Sequence, residues 1–272
     1  MAKILYGKPV REKMALELKA KIEGVGVSPK LAIIQVGNRE DSTAYIKQKQ
    51  KFGAEIGVEV MLKNLEMEEG LIKEIEKLNQ DESITGIIVQ LPLPPHLDAA
   101  RAVQAIAKEK DADGLREAET EGEGPLVTPA TARAVLSLLD YYDVQLQDKN
   151  IAVIGRSRLA GGPIAEVLRG RGAMVTVCHK ETPNTAEICR GSDVLISAAG
   201  QVGLVTKDFV NRSQVVIDVG INRVDGKLVG DVLFAEVEPI VAAISPVPGG
   251  VGPLTVACLF QNLLDLCYNE HN

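Results

Sequence analysis

The sequence lacks the usual marks of a metal protein. Its four cysteines (Cys178, Cys189, Cys258 and Cys267) show no Cys-x-x-Cys spacing, and its three histidines form no His-x-x-x-His pair. A zinc site is therefore not expected, and the thiols read as small buried apolar groups in a reducing compartment. A basic excess is missing too: 30 Lys and Arg stand against 37 Asp and Glu, for a formal net charge of -7. That balance argues against a nucleic-acid surface, but not against small anionic ligands, which need only a local positive pocket. No apolar run approaches the ~18 residues of a membrane span, and MAKILYGKPV has no long apolar stretch of the signal-peptide kind. The expectation is a cytoplasmic protein that binds neither membrane nor nucleic acid.

What is present is an ordinary globular composition, 46% apolar and 25% charged over 272 residues, a length that suggests about two domains. Short apolar runs alternate with amphipathic stretches throughout. ILYG precedes a helix from about Pro9. KLAIIQVG, a helix from about Thr43 to Ile56, VEVMLKNL, a helix over 68–79, ITGIIVQL and a helix near 98–108 complete a first half. REAETEGEGPLVT (116–128) reads as a connection. TPATARAVLSLLDYY then reads as a helix with Thr128 as N-cap and Pro129 at the first helical position. A second half follows: IAVIG, a helix after Gly161, AMVTVCH, a helix near 184–190, DVLISAAG, QVVIDVG, the loop SPVPGGVGPLT and a last helix from about Leu254 to Tyr268. The pattern predicts an α/β fold of two mainly parallel sheets covered by helices.

IAVIGRSRLAGGP (151–163) has the place of a dinucleotide-binding turn but few of its glycines: Gly155, Ser157 and Ala160 occupy the three positions. Gly161, Gly162 and Pro163 suit the start of a helix, whose free N–H groups and dipole favour phosphate. A bare strand-turn-helix without ligand is the plainer alternative. An NAD site needs an acid at the end of the next strand. Here AMVTV runs into Cys178, His179 and Lys180, with Glu181 one step later. Arg156 and Lys180 together favour the 2′-phosphate of NADP. His179 is either a phosphate ligand or a surface histidine.

A lysine stands out in DSTAYIKQKQKFGAEIG. On a helix, Tyr45, Ile46, Phe52, Gly53 and Ile56 share the face of Lys49, whereas Lys47 and Lys51 point away. Lys49 either snorkels to water or lines a pocket, where desolvation would bring its amine toward the range useful for proton transfer. Gln90 ends a buried strand and either hydrogen-bonds such a lysine or merely satisfies the loop backbone. Asp113 in KDADG is either a turn residue or a member of the same site.

Together these pieces resemble the NADP-dependent methylenetetrahydrofolate dehydrogenase/cyclohydrolase family. The matching stretches are VGNREDSTAYIKQKQK, GIIVQLPLP, KDADG, VIGRSRLAGGP, VIDVGIN, GDV and SPVPGGVGPLT, in order and over nearly the whole chain. The resemblance implies an N-terminal folate domain over 1–127, completed by a final helix (254–272) that packs back on it. It also implies a linking helix with a Rossmann-type NADP domain over 128–253. A homodimer is implied, with a tetrahydrofolate-type substrate bound in the cleft. Lys49 is then central to catalysis, Gln90 its partner, Tyr45 the stacking ring and Asp113 the pterin anchor. Leu91, Pro92, Pro248, Gly249, Gly250 and Pro253 border the substrate. Gly155, Arg156, Ser157, His179, Lys180 and Ile221 handle NADP.

The chain departs from the family pattern at ETEGEGPLVTP, at Lys180 where serine is common, at Val202 where proline is usual and at Ala160 where valine is usual. Two rivals stay open: a dehydrogenase of the shikimate type, with no use for Tyr45 or the Pro-Gly-Gly loop, and a dinucleotide-binding redox sensor, in which Lys49 would be dispensable.

Overall fold

A computed structural model describes residues 1–25, 28–65, 70–116 and 126–270. Most of the acidic connection expected at 116–128, and the first two residues of the helix expected at 68–79, lie outside these. In chain order the elements are β1 (Lys3–Ile4), α1 (Gly7–Val25), β2 (Lys30–Val36), α2 (Glu40–Ile56), β3 (Glu59–Leu65), α3 (Leu71–Asn79), β4 (Gly86–Val89) and α4 (Ala99–Gln104). They continue with α5 (Ala130–Tyr141), β5 (Asn150–Ile154), α6 (Gly161–Gly170), β6 (Met174–Cys178), α7 (Thr185–Arg190), β7 (Val194–Ser197) and β8 (Val215–Asp218). The chain finishes with β9 (Asn222–Val224), β10 (Lys227–Val229), α8 (Phe234–Val237), β11 (Ala243–Ile244) and α9 (Gly252–Glu270). Among the described residues no helix is long and apolar enough to cross a membrane.

Two compact units result: Lys13–Ala130 with Val256–Asn272, and Met1–Glu12 with Thr131–Thr255. The first holds a parallel sheet in the order β3-β2-β4. β2 and β4 are apolar without alternation because both faces are covered, whereas the edge strand β3 is only half buried. α3 lays Leu71, Ile75 and Leu78 onto a core with Ile34, Ile87 and Val89; burying each such side chain contributes about 1.5–3 kcal/mol.

The second unit holds a six-stranded sheet, β1-β11-β8-β7-β5-β6, parallel throughout. Ile154, Leu195, Val216 and Ile244 lie in its core. β5 pairs with β6 on one side and β7 on the other, so the order reverses beside β5. The crevice at the carboxyl ends of β5 and β7 is thus where an open α/β sheet collects a ligand.

Four local expectations need correction. By its place in the chain ILYG belongs with the first half, yet Lys3 and Ile4 pair with Ala243 and Ile244 in the six-stranded sheet; a two-residue strand carries no local signal of its partner. The helix near 98–108 stops at Gln104 and is followed by a 3-10 turn, Lys108–Lys110, with Asp98 capping Arg101 N–H at 3.0 Å. α5 begins at Ala130, just after Pro129, and the Ala130 N–H is satisfied by the Asp113 carbonyl (3.1 Å). The antiparallel hairpin β9–β10 was not anticipated. Its turn residues Asp225 and Gly226 both have positive φ (48° and 76°), as a two-residue hairpin requires.

Candidate active site

α2 places Lys49 on its inner face. Ile46, Phe52 and Ile56 are buried beside it, Tyr45 is half-buried, and Lys47 and Lys51 are exposed. The Lys49 amine turns inward instead of snorkelling: Nζ donates to Gln90 Oε1 at 2.9 Å. Gln90 is itself fixed, since its N–H donates to Ile34 O and its Nε2 to Leu91 O, both at 2.8 Å. The side-chain oxygen is therefore the atom left facing the amine. Burial lowers the Lys49 pKa from its ordinary value, and the Asp113 charge opposes that shift only in part. Asp113 is moved in the opposite sense, upward by burial and downward by Lys49. The two groups thus share one poorly solvated place.

KDADG builds the other wall. Lys110 is buried and donates to the carbonyls of Leu78 (3.2 Å), Asn79 (2.9 Å) and Asp81 (2.8 Å), the unsatisfied end of α3. The Asp111 carboxylate closes the turn by accepting from Gly114 N–H (3.1 Å) and Arg116 N–H (2.8 Å). Burial pushes Asp111 up to about 6. Asn262, fully buried on α9, donates to Ala112 O (2.9 Å) and Thr128 O (2.8 Å). Asp111, not Asp113, therefore does the turn chemistry. Sequence reasoning gave Lys110, Asp111 and Asn262 no role. The first two belong to the KDADG stretch, while nothing local marks Asn262.

In the six-stranded unit, Gly155 follows β5 with φ 111°, and a Cβ there would run into the Ala198 carbonyl. Gly161 opens α6 so close to the Gly155 carbonyl that no side chain fits. Glycine is therefore kept where the backbone is tightest, while Ser157 and Ala160 occupy roomier positions. This compact turn, opening straight into the N-terminus of α6, fits the phosphates of a dinucleotide. Ile154 and Cys178 are paired across β5 and β6; Arg156 and Lys180 each lie two residues beyond, exposed at the same sheet edge. His179 is half-buried, and its Nδ1 accepts from Glu181 N–H (3.3 Å). Ile221 is 45% exposed.

The loop at 245–255 docks on the chain's N-terminal segment: Gly7 N–H donates to Gly249 O and Gly250 N–H to Pro246 O, both at 2.8 Å. The Val247–Pro248 bond is cis, as is Leu91–Pro92 in the other unit. Pro253 lies in the first turn of α9, which opens at Gly252.

Comparison with known proteins finds two family matches. Residues 5–113 match the tetrahydrofolate dehydrogenase/cyclohydrolase catalytic domain, and residues 129–271 the NAD(P)-binding domain of the same name. A bifunctional protein FolD 2 of Lactobacillus johnsonii is 43% identical over 283 aligned residues, covering 100% of this chain and 99% of the relative. The bifunctional methylenetetrahydrofolate dehydrogenase/cyclohydrolase of Campylobacter jejuni superposes with a TM-score of 0.92 at 37% identity, over 99% of this chain and 100% of that one. The Trypanosoma brucei enzyme, solved with NADP and an inhibitor, gives the same score and identity over 100% and 99%.

Proposed function

We propose how this chain divides the labour of a known pair of reactions, from the premise that it belongs to the tetrahydrofolate dehydrogenase/cyclohydrolase family. It oxidises 5,10-methylenetetrahydrofolate to the 5,10-methenyl form and hydrolyses that to 10-formyltetrahydrofolate. The folate chemistry belongs to the unit that carries Lys49, and the dinucleotide to the unit that carries Gly155.

In the first step a hydride leaves the methylene carbon between N5 and N10, and that carbon becomes the methenyl cation. When bound, the dinucleotide would supply a nicotinamide ring as the hydride acceptor. No proton moves, so the protein's contribution is placement. Tyr45 stacks on the folate ring and Asp113 anchors the pterin, with Leu91 and Pro92 beside them. In the second step water adds to the cationic carbon and loses a proton. The bond from that carbon to N5 then breaks, N5 takes up the remaining hydroxyl proton, and the carbonyl of the formyl group forms.

Lys49, whose pKa burial lowers from its ordinary value, receives the first proton, and Gln90 orients the amine that does so. General-base assistance of this kind is worth about 10²–10⁴-fold. The observation that carries this reading is the 2.9 Å bond from a desolvated lysine to an immobilised amide oxygen. Lys49→Met should lower methenyl hydrolysis by about that factor while dinucleotide binding persists. Hydrolysis at the parent rate would sink the assignment.

The dinucleotide we assign is NADP. Two exposed cations, Arg156 and Lys180, flank the adenosine side of the β5–β6 edge and suit a 2′-phosphate. Gly155, Ser157, His179 and Ile221 complete that set, and the loop holding Pro248, Gly249, Gly250 and Pro253 borders the nicotinamide. The family resemblance further supports a cytoplasmic homodimer, which sedimentation of the purified chain would test.

A further inference from the structure

Two buried carboxylates of the six-stranded unit take no part in the chemistry above. Asp231 is wholly buried and accepts five hydrogen bonds. Its Oδ2 accepts from Ser197 Oγ (2.9 Å), Ala199 N–H (2.8 Å) and Gly200 N–H (3.2 Å). Its Oδ1 accepts from Gln201 N–H (2.8 Å) and Asn222 Nδ2 (3.2 Å). Asp218 stands behind it, accepting from the N–H groups of Gly220, Asp231 and Val232, each at 3.0 Å. The Asp218 N–H donates to Ser245 Oγ (2.8 Å), where the 245–255 loop begins.

The five donors to Asp231 are all neutral, and a buried carboxylate without a cation is expensive unless such dipoles solvate it fully. The backbone bends closely around the pair. A side chain on Gly230 would collide with the Asp218 carboxylate, and one on Gly220 with that of Asp231. Three successive N–H groups, those of Ala199, Gly200 and Gln201, are turned inward onto one side chain. The loop so fixed follows β7, and its Ala198 carbonyl is the group that excludes a side chain from Gly155. Asp231 therefore shapes the β7 side of the crevice that the Gly155 turn shapes from the β5 side.

We propose that Asp231, backed by Asp218, is the positioning residue for the nicotinamide half of the dinucleotide site. The inference rests on the dinucleotide reading of this unit. Arg156 and Lys180 put the 2′-phosphate end on the β6 side of β5. The loops after β7 and β8, which Asp231 ties together through Gln201 and Asn222, lie on the other side of β5, next to Ile221. They face the half that carries the hydride-accepting ring, a half that NAD and NADP share.

Asp231→Asn tests this, because an amide nitrogen at either position would oppose N–H donors. Steady-state kinetics should show the KM for NADP and for NAD rising by a common factor of about tenfold or more. Dehydrogenase kcat/KM should fall by a larger factor than cyclohydrolase activity, which consumes no dinucleotide. Ser197→Ala removes one donor at a buried site and should show the same split at a smaller factor, even if Asp231→Asn folds poorly. Dinucleotide KM values within about twofold of the parent in both variants would overturn the proposal. So would equal losses of both activities, or a rise confined to NADP. Arg156→Ala is the control for orientation: an unchanged KM for NADP would refute the placement of the 2′-phosphate on the β6 side, whereas the common factor on NADP and NAD tests Asp231 itself.

Discussion

Gln90→Glu changes one atom's identity and almost no volume, yet it should raise the Lys49 pKa that burial lowers. The Lys49 amine lies 2.9 Å from Gln90 Oε1, so the variant sets a carboxylate against it at hydrogen-bond distance. At an effective dielectric of about 20, Coulomb's law gives roughly 6 kcal/mol at that separation, near 4 pKa units. Relaxation and water reduce this, and opposite charges in contact shift a pKa by about 1–3 units. The sign is upward, because the carboxylate stabilises the ammonium and cancels the lowering that burial imposes. Below the amine's pKa its neutral fraction falls tenfold for each unit of rise. Cyclohydrolase turnover at neutral pH should therefore drop about 10–1000-fold, with the rising limb of its pH profile displaced upward by about 1–3 units. Gln90→Ala separates charge from contact: it loosens the amine without adding a carboxylate, so turnover falls while the limb moves far less. The assay is loss of the methenyl absorbance across a pH series at saturating substrate. A limb that stays in place in Gln90→Glu would refute the claim that a neutral Lys49 carries the proton.

Other consequences concern the second site and the KDADG turn. Arg156→Ala should raise the KM for NADP by about tenfold or more and leave that for NAD nearly unchanged, since only the 2′-phosphate loses a bidentate partner; equal effects on both would refute the NADP assignment. Asp111 should make stability fall as pH rises from about 4 to 6. Its pKa is raised by burial from 3.8 to about 6, so the folded chain holds the proton that the unfolded chain releases in that window. The loss is roughly 3 kcal/mol and is complete above the folded pKa. Urea unfolding of Asp111→Asn and the parent should accordingly show the parent's relative stability declining through that range, and a difference independent of pH would remove Asp111 as the cause.

How much of this the chain discloses depends on whether a residue's partner is local. Lys49 is legible because Tyr45, Ile46, Phe52 and Ile56 define its face by helical spacing alone, and Gln90 because it closes an apolar strand. The hairpin at 222–229 was equally available, since Asp225-Gly226 is a strong two-residue turn signal. β1 was not available: its partner β11 lies near the other end of the chain, and two residues carry no register. Lys110 reads as a surface charge in any window of sequence, yet it caps α3 from outside that helix. Asp231 is harder still, because its five donors come from two separate segments, 197–201 and Asn222, that meet it only when β7, β8 and the hairpin are in place.

The positions where this chain departs from its family's pattern follow the same division. Lys180 and Val202 are exposed, Val202 at 49%, and Ala160 is half-buried at the entrance to α6. The fourth departure, at ETEGEGPLVTP, falls mostly outside the described residues; the other three lie in the dinucleotide unit, on loops at the edge of the crevice, with Val202 directly after the Gln201 whose N–H donates to Asp231. Substitution there disturbs little packing and acts on ligand contact alone. Lys180 adds a cation where the 2′-phosphate would lie, which strengthens the case for NADP without touching the turn. The Lys49 site has no comparable latitude. Its acceptor is immobilised by two further hydrogen bonds, and Asp113 is presented by a turn that Lys110, Asp111 and Asn262 hold from three sides. On the proposed roles, proton transfer depends on an amine whose pKa burial lowers and Asp113 opposes, so a single change at that site should alter the reaction, whereas a change at the dinucleotide rim should alter only the partner it accepts.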